Sequence, residues 1–146
     1  NYGFKANLSD INASILIDQI KNYSKTAKIK TRIFKEYRKK LNKIDQIFFP
    51  VANKNKNRDF YLFPIGVHKK YRNKLIEHLL KKKIFVTVNF KSVNELSFYK
   101  KKYRNIKCPV SKKWGSEQIS LPFHVKITKK EIKKISVEIN KFFKNF

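Results

Sequence analysis

Cysteine, glycine and proline are all scarce in this sequence, and each shortage excludes a class of protein. The single cysteine, Cys108, excludes an internal disulfide framework and a cysteine-rich zinc site. The glycines are Gly3, Gly66 and Gly115, so there is no glycine-rich loop of the kind that cradles phosphate groups. With 41% apolar residues in 146, the chain is too apolar for a disordered polypeptide and long enough to form one hydrophobic core.

Other features of membrane proteins and self-contained enzymes are missing as well. No run approaches the roughly 20 consecutive apolar residues that a membrane-spanning helix needs, and no secretory signal is visible. The 10 acidic residues form no obvious pair for acid–base catalysis, and the 3 histidines are not spaced as metal ligands. The residues alone therefore indicate a basic domain with no catalytic and no metal-binding residues of its own, and we expect it in the cytoplasm.

Positive charge is what the sequence has in excess. Lysine and arginine number 36 against 10 acidic residues, which gives a formal net charge of +26. Such a charge can attract nucleic acid or an anionic membrane. The lysines are nevertheless scattered through every segment, and the abundant residue types (Lys, Asn, Ile, Phe and Tyr) have AT-rich codons. We attribute the excess to coding composition, expect no membrane partner, and treat nucleic acid as the less favoured partner.

Apolar periodicity predicts a helix-rich order of elements. The stretch 11–44 contains no glycine or proline and keeps one face apolar, which predicts one long helix, straight or bent in its middle, with Ser9 as its N-cap. The other predicted elements are a strand over 60–67, a helix over 69–82, a strand over 84–90, a short helix within 92–103, a turn at 108–110, a helical turn over 114–117, an extended segment over 119–122 and a last helix opened by the capping box Thr128–Glu131.

This order predicts an α/β (α+β) arrangement in which helices cover a small sheet. No internal repeat or low-complexity linker divides the chain, so we expect a single domain over 1–146. Within it we distinguish an opening loop with the long helix, 1–46, from a sheet-and-helix lobe, 47–146. A helix of that length usually packs on more than one side, and we interpret it as a packing or dimerisation spine.

Four motifs in the same order resemble those of the DegT/StrS-like sugar aminotransferases. The run 3–13, GFKANLSDINA, is similar to the signature that opens the C-terminal part of those enzymes and leads into a long helix. The strand 61–65, YLFPI, the segment 83–90, KIFVTVNF, and the segment 117–123, EQISLPF, are similar to three later family motifs. Together they span nearly the whole chain, and the combination is specific although each motif alone is weak.

The resemblance implies the small C-terminal domain of a fold-type I aminotransferase, with a mostly antiparallel sheet. Members of the family are usually homodimers that use pyridoxal phosphate to move an amino group, commonly from glutamate, to a keto-sugar on a nucleotide. Their Schiff-base lysine belongs to a large N-terminal domain, and no lysine here lies in that motif. We therefore expect the large domain to be absent from this chain, and the chain to be inactive alone and to need the large domain and a dimer partner.

The resemblance also assigns candidate site residues. Lys5 occupies the position from which the family reaches the cofactor phosphate of the other subunit, and Asn7 stands where many members have arginine; both are candidate cofactor-binding residues. Asn89 and Asn94 occupy positions that are often histidine, and with Tyr61 they are the candidate substrate-binding residues. Lys83 replaces the glycine that precedes the strand motif, which we expect to make that turn less tight.

Two other functions remain open at this point. The chain could be a non-catalytic basic binding module, for example for nucleic acid, whose affinity would fall steeply with salt. It could also be a degenerate remnant without activity, since both family histidines are lost. The sugar, the nucleotide and the carbon that receives the amino group do not follow from the sequence.

Overall fold

The computed structural model describes residues 7–50 and 60–145. Within them it contains six α-helices and a three-stranded antiparallel sheet. The elements are α1 (Asp10–Lys21), α2 (Tyr23–Leu41), β1 (Ile47–Phe48), β2 (Phe63–Val67), α3 (Lys69–Lys81), a 3-10 turn (Val93–Glu95), α4 (Ser97–Lys102), α5 (Pro109–Glu117), β3 (Gln118–Leu121) and α6 (Lys129–Lys144). The predicted fold class is confirmed. No helix among the described residues is both long and apolar enough to cross a membrane.

The predicted long helix is interrupted at Asn22. Ser9 is the N-cap of α1, as expected, and the helix predicted over 11–44 is divided into α1 and α2. The Nδ2 of Asn22 donates to the backbone oxygen of Asp18 at 3.0 Å and to its carboxylate at 3.2 Å. An asparagine side chain that bonds locally competes with the helical ladder, which explains why α1 ends here and α2 begins one residue later.

The sheet has the order β1-β2-β3, and both pairings are antiparallel. The strand predicted over 60–67 is confirmed as β2, and the extended segment predicted over 119–122 is confirmed as β3. In the register of these two strands, Ile65 faces Ile119. The two-residue strand β1 was not predicted, because a segment that short has no periodicity to detect.

The strand predicted over 84–90 was wrong in extent. Only Thr87 of this segment pairs, through a single antiparallel bridge to Ser120 of β3. Ile84 is instead drawn into the turn that ends α3, where its N–H donates to the carbonyl of Leu79 at 2.9 Å. A β-branched sequence forms a strand only where a neighbouring strand pairs with it, and here that pairing is limited to one residue.

Side chains from α2, α3 and α6 cover one face of the sheet and form the core. The fully buried side chains are Tyr37, Leu41, Phe63, Ile65, Val67, Leu75, Leu79, Gln118, Ile119, Ile132 and Ile139. The Tyr37 ring stacks on Phe63 with ring centroids 4.6 Å apart, and its hydroxyl donates to the carbonyl of Pro122 at 2.9 Å. Burial, with a smaller contribution from the Glu131 carboxylate, raises the pKa of Tyr37, so this hydroxyl stays protonated as a donor.

The turn after α3 is closed tightly even though it contains Lys83 in place of glycine. Lys83 adopts a left-handed conformation with a φ of 58°. Its N–H donates to the carbonyl of Leu80 at 2.9 Å, and the next N–H, of Ile84, donates to Leu79 at 2.9 Å. This is the bonding pattern of a Schellman motif, so the expectation of a looser turn was wrong.

The two C-terminal helices begin with different capping devices. Helix α5 starts at Pro109, which suits the first helical position, and it replaces both the turn predicted at 108–110 and the single helical turn predicted over 114–117. The capping box of α6 is confirmed. Thr128 Oγ1 accepts from the N–H of Glu131 at 3.2 Å, and Glu131 Oε2 accepts from the N–H of Thr128 at 2.7 Å. The bonds from Thr128 hold the pKa of Glu131 below its usual range.

Candidate functional site

The segment 87–94 carries both asparagines that were predicted to bind substrate, and it is anchored to the sheet. The N–H of Thr87 donates to the carbonyl of Ser120 at 3.2 Å, and the N–H of Ser120 donates back to Thr87 at 2.8 Å. This pair of bonds fixes the start of the 87–94 segment beside β3. The peptide bond between Asn89 and Phe90 is cis.

The middle of the segment lies against helix α5. A Cβ atom added to Gly115 would lie 2.8 Å from the backbone nitrogen of Ser92 and 3.3 Å from the backbone oxygen of Phe90. Only a residue without a side chain allows this approach of the two backbones. Gly115 thus fixes the distance between α5 and the part of the chain that separates the two asparagines.

Each asparagine is bonded by a hydroxyl from two residues earlier in the chain. Thr87 Oγ1 donates to Asn89 Oδ1 at 2.6 Å. Ser92 Oγ donates to Asn94 Oδ1, and Ser92 Oγ also lies 2.8 Å from the hydroxyl oxygen of Ser111 in α5. Both asparagines are half-buried.

The charge around the segment is positive. Glu95, just after the segment, forms an ion pair with Lys112 in which Oε1 and Nζ are 3.3 Å apart, so its charge is compensated. Lys91 within the segment is exposed. The described residues contain no cluster of three or more histidine, cysteine, aspartate and glutamate side chains that could hold a metal ion.

The other predicted site residues lie elsewhere. Tyr61 is 77% exposed and precedes β2, whose residue Phe63 faces Leu121 at the C-terminal end of β3. The segment after Thr87 runs toward the opposite end of β3, so the sheet does not bring Tyr61 and Asn89 together. Asn7 is exposed on the loop before α1, and Lys5 lies outside the described residues.

Helix α1 exposes an apolar surface that nothing in the described chain covers. It has no buried residue. The exposed apolar residues of this surface are Leu8, Ile11, Ile15, Leu16, Ile17 and Ile20. Many of them are three or four residues apart and therefore adjacent on the helix surface. These side chains form an exposed apolar surface on an otherwise lysine-rich chain.

Comparison with known proteins matches this combination of motifs and fold. The model of the DegT/DnrJ/EryC1/StrS aminotransferase family matches residues 1–140. The chain belongs to this aminotransferase family. An uncharacterized protein of Methanocaldococcus jannaschii is 29% identical over 136 residues, which cover 89% of this chain and 35% of the relative. The UDP-4-amino-4,6-dideoxy-N-acetyl-beta-L-altrosamine transaminase of Campylobacter jejuni is 28% identical over 135 residues, or 90% of this chain and 36% of the relative.

Solved structures of aminotransferases share the fold. The aminotransferase TlmJ of Streptoalloteichus hindustanus superposes with a TM-score of 0.88 at 16% identity, over 99% of this chain and 39% of that protein. The fold is that of fold-type I aminotransferases, as the sequence motifs predicted. The chain spans little more than a third of the length of the curated relatives that it matches.

Three hydroxyl residues of this family member were missed as part of the site by sequence reasoning. Thr87 and Ser92 each stand two residues before a candidate asparagine, in the tripeptides Thr87-Val88-Asn89 and Ser92-Val93-Asn94. This repeated spacing is visible in the sequence and could have indicated a local hydroxyl-to-carboxamide bond. The contact from Ser111 could not have been found, because it depends on how α5 packs against the segment.

Proposed function

We propose that this chain is the C-terminal domain of a pyridoxal-phosphate-dependent nucleotide-sugar aminotransferase. The complete enzyme transfers an amino group from glutamate to a keto-sugar carried on a nucleotide. The family match over residues 1–140 carries the proposal, and the activity named for the Campylobacter jejuni relative agrees with it. The large cofactor-binding domain then corresponds to the part of the relatives that this chain does not span.

The apolar surface of α1 is the contact for that large domain in this proposal. Burial of apolar area contributes about 25 cal/mol per Å², so several isoleucine side chains on one helix would stabilise an interface by several kcal/mol. Positions 11, 15 and 20 of α1 are all isoleucine, although the rest of the chain is rich in lysine. The opening helix therefore supports association with another polypeptide rather than the core of this domain.

The residues described here fit a supporting role toward the cofactor. Pyridoxal phosphate, when bound, supplies an electron sink for the reaction. Asn7 is exposed before α1, where its carboxamide could donate to a phosphate oxygen. Lys5 would add a positive charge to the same contact, since a lysine ammonium is a suitable partner for phosphate.

Expression of two chains tests the proposal. One is the chain of 146 residues, and the other also carries the protein sequence encoded upstream of Asn1. We expect the absorbance of bound cofactor, and release of 2-oxoglutarate from glutamate with a UDP-linked keto-sugar, only in the longer chain. Stoichiometric cofactor binding by the short chain would contradict the assignment of cofactor binding to the large domain. An upstream sequence without the lysine motif would contradict the proposed function.

The role of α1 has its own test. Ile15→Asp with Ile20→Asp should abolish association with a separately expressed large domain, measured by analytical ultracentrifugation. The thermal stability of the short chain should not change, because neither side chain is buried in it. Ser14→Asp, on the polar side of the same helix, is the matched control and should associate normally. Equal association of all three proteins would remove α1 from the interface.

A second candidate function, a basic binding module for nucleic acid, is supported by one groove between α2 and α6. The groove has a volume of about 360 Å³ and is lined by Lys39, Lys40, Lys43 and Lys133. Among the described residues none of these ammonium groups has a carboxylate within ion-pair distance. Phosphate contacts by these lysines would release counterions and make the affinity depend steeply on salt.

Charge-matched variants separate this candidate from nonspecific attraction. The triple variant Lys39→Ala, Lys40→Ala, Lys43→Ala is compared with Lys100→Ala, Lys101→Ala, Lys107→Ala, which removes the same charge elsewhere. Fluorescence anisotropy with a single-stranded RNA at two salt concentrations gives the affinity. Binding that only the first triple variant weakens would favour the module. An equal loss of affinity in both triple variants would mean that the RNA is attracted by net charge alone.

A further inference from the structure

We propose that Thr87 and Ser92 are positioning residues that turn the carboxamides of Asn89 and Asn94 so that both present N–H donors to a ligand. The ligand group that fits is an acceptor oxygen of the nucleotide-sugar, from a sugar hydroxyl or from a phosphate. The identity of the ligand rests on the proposed function. The orientation of the two carboxamides rests on their own contacts.

The distance at Asn89 decides which end of its carboxamide faces Thr87. The hydroxyl oxygen and the carboxamide atom are 2.6 Å apart. Bonds from hydroxyl to oxygen are commonly about 2.7 Å long, whereas bonds between a nitrogen donor and oxygen are about 2.9 Å long and rarely below 2.7 Å. The atom facing Thr87 is therefore Oδ1, and the amide nitrogen points away from the hydroxyl.

The number of available protons decides the direction of bonding at Asn94. A serine hydroxyl has one proton. Ser92 donates it to Asn94 Oδ1, so the contact of 2.8 Å between Ser92 and Ser111 must be donated by Ser111. The result is a chain of donation from Ser111 to Ser92 to Asn94, in which each bond polarises the next.

In both carboxamides Oδ1 therefore accepts from a hydroxyl, and Nδ2 is the end that remains to donate. No hydrogen bond from the Nδ2 of either asparagine occurs among the described residues. An N–H donor needs an acceptor, and the exposed Lys91 between the two asparagines in the chain favours one with negative charge or partial negative charge. Unlike the histidines common at these positions, an asparagine does not titrate, so the donors are present at every physiological pH.

The anchors of the 87–94 segment make this orientation specific. The backbone pair with Ser120 fixes Thr87, and the close approach of Gly115 fixes the backbone at Ser92. A donor that is already oriented loses less entropy when the ligand binds. The two hydroxyls therefore raise affinity without touching the ligand.

NMR titration of the side-chain amide signals of Asn89 and Asn94 tests the proposal on the chain as it exists. The probes are UDP-N-acetylglucosamine, UDP and N-acetylglucosamine. We expect both amide signals to shift and saturate with the first probe. A shift with UDP identifies a phosphate acceptor, and a shift that needs the sugar identifies a hydroxyl acceptor.

Substitution of the hydroxyl separates positioning from general stability. Thr87→Val keeps the shape of the side chain but removes the donor, and we expect affinity to fall about fivefold, the usual weight of one hydrogen bond. Thr87→Ser keeps the hydroxyl and should restore binding. Thr31→Val is the matched control, because the Thr31 hydroxyl donates to the carbonyl of Ala27 at 2.9 Å, away from the segment. It should bind like the unmodified chain.

Amide signals that do not respond to any probe, or a Thr87→Val chain that binds as tightly as the original, would overturn the proposal. Its failure is distinguishable from failure of the proposed function. If the longer chain transfers amino groups and Thr87→Val leaves its KM unchanged, the positioning role is refuted and the proposed function stands. If the amide signals respond to the probes but the longer chain has no transferase activity, the binding site stands and the proposed function is refuted.

Discussion

Replacement of Lys83 by glycine should stabilise the domain, which is unusual for a single substitution. Lys83 is exposed and has a φ of 58°, a conformation that costs a residue with a Cβ atom roughly 1–2 kcal/mol. Glycine adopts this conformation without that cost but gains conformational freedom in the unfolded chain, which takes back about 0.4–1 kcal/mol. The expected net gain for Lys83→Gly is about 0.5–1 kcal/mol.

The turn itself should be unchanged by this substitution. Both of its closing bonds come from backbone N–H groups, of Lys83 and Ile84, and the side chains of Ile84 and Leu79 are both buried. For a domain of this size 1 kcal/mol shifts the melting temperature by roughly 2–4 °C. Urea unfolding followed by circular dichroism, with thermal melting as a second measurement, can resolve the difference.

The neighbouring lysine provides a matched control. Lys82 has a φ of −89° and a ψ of 10°, which lies outside the left-handed region. Lys82→Gly removes the same charge but relieves no strain, so it should destabilise by about 0.5–1 kcal/mol through the greater freedom of glycine in the unfolded state. If the two glycine variants had equal stability, or if Lys83→Gly were the less stable, the argument from backbone strain would be refuted.

Two further substitutions test the contacts near the site and the last helix. Gly115→Ala should destabilise the domain by about 1–3 kcal/mol in urea unfolding, because the added Cβ would lie 2.8 Å from the backbone nitrogen of Ser92. The amide resonance of Ser92 should shift as well. Ser116→Ala is the adjacent control and should have little effect. Thr128→Ala should cost about 1 kcal/mol in the same assay by removing the N-cap. Thr128→Ala should also make the free energy of unfolding depend less on pH in the acid range. In the unmodified chain the lowered pKa of Glu131 contributes stability above the ordinary carboxyl range, and this stability is lost as the pH falls through the folded-state pKa. An unchanged pH profile in Thr128→Ala would contradict that linkage.

Local sequence patterns predicted most helices correctly, together with the N-caps of α1 and α6. The capping box Thr128–Glu131 and the N-cap Ser9 act within three residues, so the sequence contains every group that takes part. The fold family likewise followed from four motifs in order. The position of the break, at Asn22, was not predicted, because the helical periodicity continues across it and the interruption comes from a side chain that bonds backward to Asp18.

The candidate site could be predicted only in part. Asn89 and Asn94 were proposed from the motifs, and their hydroxyl partners stand at a spacing that the sequence displays. The strand expected over 84–90 failed because extended structure needs a paired neighbour, and Ser120 is the one residue that supplies it. The motifs also did not indicate that Tyr61 and Asn89 lie toward opposite ends of β3.

The sequence by itself determined the supply of apolar residues for the core, the N-caps of α1 and α6, the basic charge and the family. These properties depend on residue type and on separations of a few residues along the chain. The tertiary structure decided that Ser111 reaches Ser92, how closely Gly115 approaches Ser92, and that α1 keeps an uncovered apolar surface. Those properties depend on contacts between distant segments, which local hydrogen bonding and periodicity do not specify.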